Sequence, residues 1–384
     1  MNAGFSSVSD LWLARFAKLT VAATFLLILV GGHTTTSGAG MAFPDWPLSH
    51  GSINPHGWWE DTMQRLEHGH RYVAEAVGVM IGILCAWVWR SKWSVPWAFG
   101  GAALLALGCS LLGLSKPLVV HAALWSSVVI FLIFVSRDGA RDVQPRGRVR
   151  WIALAAFAGV VVQAILGGLR VIKDPAGAIG GDAGTATVFR VLHACFAQIE
   201  LCLLVVVAAM VSPAWNRTRA RLEARSLPRI AWIAAAAVFV QLVLGATMRH
   251  LGAGLAIPTF PSVGEGWWPT VRDSYVEINF AHTRVGAVVV SLSILLVAWK
   301  VFRPPGKGSY LSRPTALLLA LLAAQVTLGM MVIWKLRPPI LTTLHVVTGA
   351  GVLATIVLIA VRACGSAGAT EPRPLGKSLA HSQA

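Results

Sequence analysis

Charge is scarce in this chain. Asp, Glu, Lys and Arg make up 12% of its 384 residues against 56% hydrophobic, and the mean hydropathy is +0.68. So few polar side chains cannot cover a globule in water, which excludes a soluble domain and makes lipid the solvent. Cysteine is limited to Cys85, Cys109, Cys195, Cys202 and Cys364, all within apolar runs or at their inner boundary. With none in the long outer loops, no structural disulfide is expected there. No cluster of three or four His, Cys and carboxylate ligands suits zinc or copper. The first apolar segment lacks a convincing cleavage site and starts with Arg15 and Lys18, so it reads as a retained helix rather than a signal peptide.

What is abundant is apolar runs of about 20 residues, the length that spans a bilayer. Ten are expected, near 12–33, 71–90, 96–115, 117–136, 151–171, 190–211, 229–248, 280–300, 315–334 and 341–362. The formal charge of +16 does not mark a nucleic-acid binder, because the basic residues sit between the runs. Arg90 and Lys92, Arg137 to Arg150, Arg217 to Arg229, and Arg303 to Arg313 fall on one side, while the loops near 34–69, 172–189, 249–279 and 335–340 carry far fewer. By the positive-inside rule both termini are cytoplasmic, and the expected location is the cell inner (cytoplasmic) membrane.

The chain repeats itself. Residues 38–47 read Gly-Ala-Gly-Met-Ala-Phe-Pro-Asp-Trp-Pro and residues 252–261 read Gly-Ala-Gly-Leu-Ala-Ile-Pro-Thr-Phe-Pro, identical at every glycine, alanine and proline. Each copy follows a helix ending in glycine (Gly31, Gly245) and precedes a helix opening with histidine (His70, His282). The halves are therefore duplicates. A finer unit recurs within them: Gln-x-x-Leu-Gly near the outer end of one helix, a loop, then a helix with an early His. Gln163 to Gly167 precedes His193, Gln241 to Gly245 precedes His282, Gln325 to Gly329 precedes His345, and a degenerate Cys109 to Gly113 precedes His121. For these Gly and Gln residues helix packing is the favoured role.

Five histidines, His70, His121, His193, His282 and His345, thus fall in the first turns of the even-numbered spans, near the outer face. One intramembrane histidine is ordinarily polar glue; the recurrence argues for more. Neutral imidazole is the usual axial ligand of haem iron, and two from facing helices can hold one macrocycle in a bundle core. Haem propionates call for guanidinium partners. Arg71, Arg284, Arg190, Arg170 and Arg249 stand nearby in sequence, with interfacial anchoring an equally weighted role. Of the sixteen tryptophans, Trp58, Trp59, Trp267 and Trp268 lie paired in the long outer loops, as an interfacial belt would place them.

The duplicated loop, Glu67-His68-Gly69-His70-Arg71, Gly245-Ala246-Thr247-Met248-Arg249-His250 and Leu344-His345-Val346-Val347 together resemble the haem A synthase (CtaA/Cox15) family, from about residue 12 to 362. That resemblance implies an all-α integral membrane protein that oxidises the C8 methyl of haem O to a formyl group, giving haem A for terminal oxidases. It implies a b-type haem on His282 and His345, with Arg284 and Arg249 as cofactor-binding residues. It implies haem O as substrate between His70 and a second histidine, with Glu67 and His70 catalytic. Haem iron would then be bound by His70, His193, His282 and His345. Implied partners are membrane lipid, haem O synthase, oxidase assembly proteins and a quinone or other electron acceptor, with a homo-oligomer left open. Without the motif, Glu67 reads as a solvated charge in a helix's first turn, and Asp45 as a loop-ordering acceptor.

The chain departs from the family plan in three ways. Eight spans with four histidines are usual, and ten with five are expected here, as a family-like eight plus an extra hairpin. By position His121 corresponds to His345; by motif, Gln163 to Arg170 followed by Leu192-His193 matches the first-half partner. The motif is followed, which makes 96–136 the extra hairpin and His193 the ligand, with His121 the alternative. Thr259 replaces an Asp common in relatives, and His282-Thr283-Arg284 splits a pair that is often adjacent, loosening the carry-over to Arg284. The outer-loop cysteine pair of some relatives is absent. The expected organisation is 1–222 as the substrate half, 223–364 as the haem b half and 365–384 as a disordered cytoplasmic tail. Rival readings are a di-haem cytochrome b that passes electrons and a haem exporter or chaperone; a prenyltransferase is disfavoured because no span carries the clustered aspartates that Mg²⁺ and a diphosphate need.

Overall fold

The computed structural model describes residues 8–89, 145–177, 180–213, 215, 226–303 and 310–367. The expected spans at 96–115 and 117–136, with Cys109 and His121, the boundary at 222 and the tail from 368 lie outside the described residues. Eight helices among the described residues are long and apolar enough to cross a membrane. They are α1 (Val8–Thr36), α2 (Thr62–Val88), α3 (Pro145–Ile172), α4 (Ala183–Met210), α5 (Leu227–His250), α6 (Ser274–Phe302), α7 (Ser312–Trp334) and α8 (Pro339–Ala367).

The long spans contain few charges, so every backbone group is satisfied within its own helix and the apolar side chains face lipid or one another. In the first half α2 packs on α1 and α3, and α4 on α3 and α1; α6, α5, α7 and α8 repeat that order in the second. The halves meet where α8 packs on α1 and α4, and where α4 packs on α5. Helix α8 is the most enclosed, and small residues explain how: Ala350, Ala354, Ala360 and Ala363 are buried and Gly349 and Gly351 flank Ala350. Such residues let helix backbones approach closely where no hydrophobic effect drives association. Thr36 and Thr343 share a hydrogen bond of 2.8 Å across the seam, and Arg249 donates to the Gly32 carbonyl at 3.2 Å.

The duplication extends to backbone detail. Gly38 and Gly252 both take positive φ (76° and 79°), the peptides Trp46–Pro47 and Phe260–Pro261 are both cis, and short bridges join Ser49 to Ser52 and Val263 to Gly266. All three features recur at an offset of 214 residues.

The even-numbered helices start earlier than their apolar runs. Asp61, Asp182 and Asp273 cap α2, α4 and α6 by accepting the amides of Gln64, Thr185 and Tyr275, a strong start signal at polar positions. The Thr185 hydrogen bonds hold the exposed Asp182 carboxyl below the usual carboxylate range. The histidines are therefore not in first turns, as expected from hydropathy. His70 and His282 each lie eight residues into their helices and His193 ten, about 12–15 Å along the axis.

Candidate functional site

His70, His193, His282 and His345, the candidate ligands among the described residues, are each seated on a glycine of the helix before its own. A methyl group built on Gly31 would lie 2.7 Å from the His70 ring, on Gly167 3.1 Å from His193, on Gly245 2.6 Å from His282, and on Gly329 3.0 Å from His345. The glycine of Gln-x-x-Leu-Gly is thus a packing residue, and what packs on it is the imidazole. Its missing side chain lets the ring lie against bare backbone.

The glutamine one turn earlier completes the seat. The Gln163 and Gln241 amides donate to the backbone carbonyls of His193 and His282 at 3.0 and 2.7 Å. In return, Nδ1 of His193 and of His282 lies 3.2 and 3.1 Å from the carbonyls of Gln163 and Gln241. A carbonyl only accepts, so these Nδ1 atoms carry the proton and Nε2 holds the lone pair, which in His193 also meets the Gln163 amide at 3.4 Å. Gln325 likewise approaches Nε2 of His345, at 3.2 Å. In α1 the glutamine's place is taken by Leu27, and Nδ1 of His70 is buried without a partner.

The rings converge within each half. His282 and His345 face one another with centroids 6.4 Å apart and planes at 81°. His193 stands within electrostatic reach of His70, Arg170 and His250. No group of three His, Cys, Asp or Glu side chains suited to a metal ion occurs among the described residues. Two imidazoles from facing helices, twice over, is the donor set on offer, and it suits a planar macrocycle whose iron has two free axial positions.

Beside the histidines the two halves part company. Glu67 is 4% exposed, so the solvated first-turn carboxylate expected in the absence of the motif is not what forms. The early start of α2 carries it inward, where it accepts the Phe43 amide at 2.9 Å and pairs with Arg71 at 2.8 Å. Arg71 also donates to the carbonyls of Leu48 and Asp45 and to Ser49, whose hydroxyl meets Nδ1 of His68 at 3.0 Å. In the second half the counterpart of Glu67 is Asn279, fully buried, which donates to Ala253. His68 and Ser49 are matched by Phe280 and Val263.

Asp45 orders its loop as expected, accepting the amides of His50 and Gly51 at 2.8 Å each. Thr259 keeps half of this arrangement, its hydroxyl accepting the Gly264 amide at 3.0 Å. Arg284 keeps the position of Arg71 despite Thr283 intervening, donating to the carbonyls of Thr259 and Ser262. The reason is a π-helical turn over Ala281–Gly286, which takes up the extra residue and restores the arginine's direction.

The other expected arginines also have definite places. Arg170 donates to the Gly40 carbonyl and Arg190 pairs with buried Asp174. Arg249 lies one turn beyond the His282 seat on α5. Trp59, Trp267 and Trp268 are 66–74% exposed at the outer loops, as an interfacial belt requires. Sequence reading missed His68, Asp174 and Glu200. Glu200 lies within α4 against Gly159, with both carboxylate oxygens buried and unpartnered, and an acid inside a span of mean hydropathy 2.2 was its only signal.

Comparison with known proteins places these features. Residues 14–115 and 117–357 match COX15-CtaA, described as cytochrome oxidase assembly protein. The chain is 25% identical to the heme A synthase of Bradyrhizobium sp. (strain ORS 278) over 92% of its length and 90% of the relative's. It is 26% identical to that of Bradyrhizobium sp. (strain BTAi1), again over 92% and 90%. It is 26% identical to that of Symbiobacterium thermophilum over 82% and 84%. A match over nearly the whole length of the duplicated helical chain, with its motifs in the seats described, means that this chain belongs to the COX15-CtaA family.

Proposed function

We propose that this protein is a haem A synthase, a membrane oxidoreductase that converts the C8 methyl of haem O to a formyl group. One observation carries the reading beyond the family: the same histidine-bearing scaffold is built twice, and among the described residues only the first copy puts a buried acid, Glu67, three residues before its histidine. Glu67 faces the outer end of the first half, where the second half has the amide Asn279. A site that only holds a macrocycle needs no proton acceptor. A site where C–H bonds are lost does.

In this reading His70 and His193 bind the substrate, haem O, and His282 and His345 hold haem b; His121 remains the alternative to His193. Bound there, haem b would supply redox chemistry, an iron able to change oxidation state beside the substrate half. The protein's own part is positional and protonic. Glycine seats position all four imidazoles, and the carbonyls of Gln163 and Gln241 fix His193 and His282 as the tautomer that carries its proton on Nδ1. Glu67 takes a proton released at the methyl, and the Arg71 guanidinium holds that carboxylate in place while fastening the outer loop. Arg249 and Arg284 serve the cofactor half. The fit rests on the donor set, on the bare-glycine cradles and on Nδ1 of His70, buried and without a partner.

The distribution of Arg and Lys supports both termini in the cytoplasm and the inner membrane as the location. The packing order supports 1–222 as the substrate half and 223–364 as the haem b half, since α3 and α4 occupy in one the places of α7 and α8 in the other.

Substitution tests the roles separately. His282→Ala or His345→Ala should remove the b-type absorption from purified protein. Glu67→Gln should leave that spectrum intact and stop formyl formation. Normal haem A yield from the Glu67→Gln protein would overturn the assignment of the acid.

A further inference from the structure

The two halves seat an arginine on the same glycine, but they bring it there by different routes. In the first half Arg170, three residues after Gly167 on α3, lies against Gly40 of the Gly-Ala-Gly loop. In the second half the residue three after Gly329 is Val332, which has no charge to offer. Yet Gly254, the counterpart of Gly40, is covered by Arg337: a methyl group built there would meet its Nε at 3.1 Å and its Cδ at 3.2 Å. Arg337 comes from the short link between α7 and α8, and its amide folds back to the carbonyl of Val332 at 2.8 Å.

That delivery is conformationally costly. Leu336 and Arg337 are consecutive non-glycine residues at φ 58° and 63°, a region in which a Cβ crowds the backbone. A helix end usually places glycine or asparagine in this region. The link thus spends stability to hold one side chain where it is.

What it holds is a cation beside a cation. Gly254 lies five residues beyond Arg249, just past the end of α5, so Arg337 seated on that glycine stands at the same helix end as the half-buried Arg249, and the two guanidiniums repel. Arg249 donates to one backbone carbonyl, that of Gly32. Among the described residues, the acids paired with arginine are Glu67, Asp174 and Glu277, and none of them pairs with Arg249 or Arg337. Arg249 is four residues beyond Gly245, the seat of His282, so the pair stands about 6 Å outward of that ring along α5. Two like charges held together by strained backbone beside a macrocycle site call for an anion between them, and a carboxylate matches the guanidinium fork.

We propose that Arg337 is the second-half counterpart of Arg170 and, with Arg249, clamps a propionate carboxylate of the macrocycle held by His282 and His345. This rests on the haem b reading of the second half.

The test uses the full-length protein purified in detergent, with haem b measured by its pyridine derivative, by redox titration and by transfer to excess apomyoglobin. Arg337→Gln should speed haem b loss about tenfold, since one charge-assisted contact is worth roughly 1.4 kcal/mol. It should also lower the reduction potential, because a cation removed from beside the carboxylate no longer disfavours the ferric state. Arg337→Lys should keep most of the potential while losing haem faster than the parent. Gly254→Ala, which displaces the guanidinium without deleting it, should follow Arg337→Gln. If parent and Arg337→Gln proteins show the same potential and transfer rate, the clamp is wrong and Arg337 merely packs on Gly254. If the parent itself shows no b-type haem that depends on His282 and His345, the underlying cofactor reading fails, and the clamp with it.

Discussion

At the scale of single residues, the duplication acts as an internal control. Arg71 and Arg284 make the same backbone contacts, so their first task is to fasten a loop, and the motif alone could not distinguish that from gripping a ligand. Glu67 was legible as an acid of interest, but its burial was not: that depends on Asp61 starting α2 two turns before the apolar run begins. Thr259 offers a direct test of the loop assignment. Thr259→Asp should restore the two-amide arrangement of Asp45 and raise thermal stability by about 0.5–1 kcal/mol, the net worth of one hydrogen bond. Asp45→Thr should lower it by a similar amount. Thermal unfolding in detergent reads both, and unchanged midpoints would remove Asp45 from its loop-ordering role.

At the scale of elements, the unit is a helix pair in which a glycine receives the next helix's imidazole. The repeated Gln-x-x-Leu-Gly was visible in the sequence, and packing was the favoured role; that the packed group is the histidine itself needed coordinates, because facing partners across a hairpin leave no mark in linear spacing. Gly245→Ala should push His282 off its seat, at an overpacking cost of about 1–3 kcal/mol. It should deplete b-type haem while leaving haem O binding in the first half. Gly31→Ala should do the reverse through His70. Visible spectra with pigment extraction distinguish the two, and identical losses from both variants would mean general misfolding rather than seat-specific displacement. The π-helical turn makes a second claim at this scale. Deleting Thr283 restores the His-Arg adjacency of the first half, so the deletion protein should keep its b-type spectrum. Loss of that spectrum would mean the extra residue does more than fill the turn.

At the scale of the whole molecule, composition and periodicity sufficed for an all-helical membrane bundle, for the duplication and for the order of spans. They could not show that α3 and α4 pack in the first half as α7 and α8 do in the second, which adds to the motif a second ground for preferring His193 to His121. Nor could they find Arg337, because its place is set by two left-handed residues and not by helical register. On this account His193→Ala should lose first-half haem binding and His121→Ala should keep it, read from haem stoichiometry; the opposite pattern would reassign the site. The central claim is a chemical one, that the half with the buried acid turns a methyl into a formyl. Its most direct test is mass analysis of haem extracted from cells expressing this protein with and without a source of haem O. The account requires haem A to appear only when haem O is supplied and the protein is present. Recovery of bound haem O with its methyl group intact would contradict it.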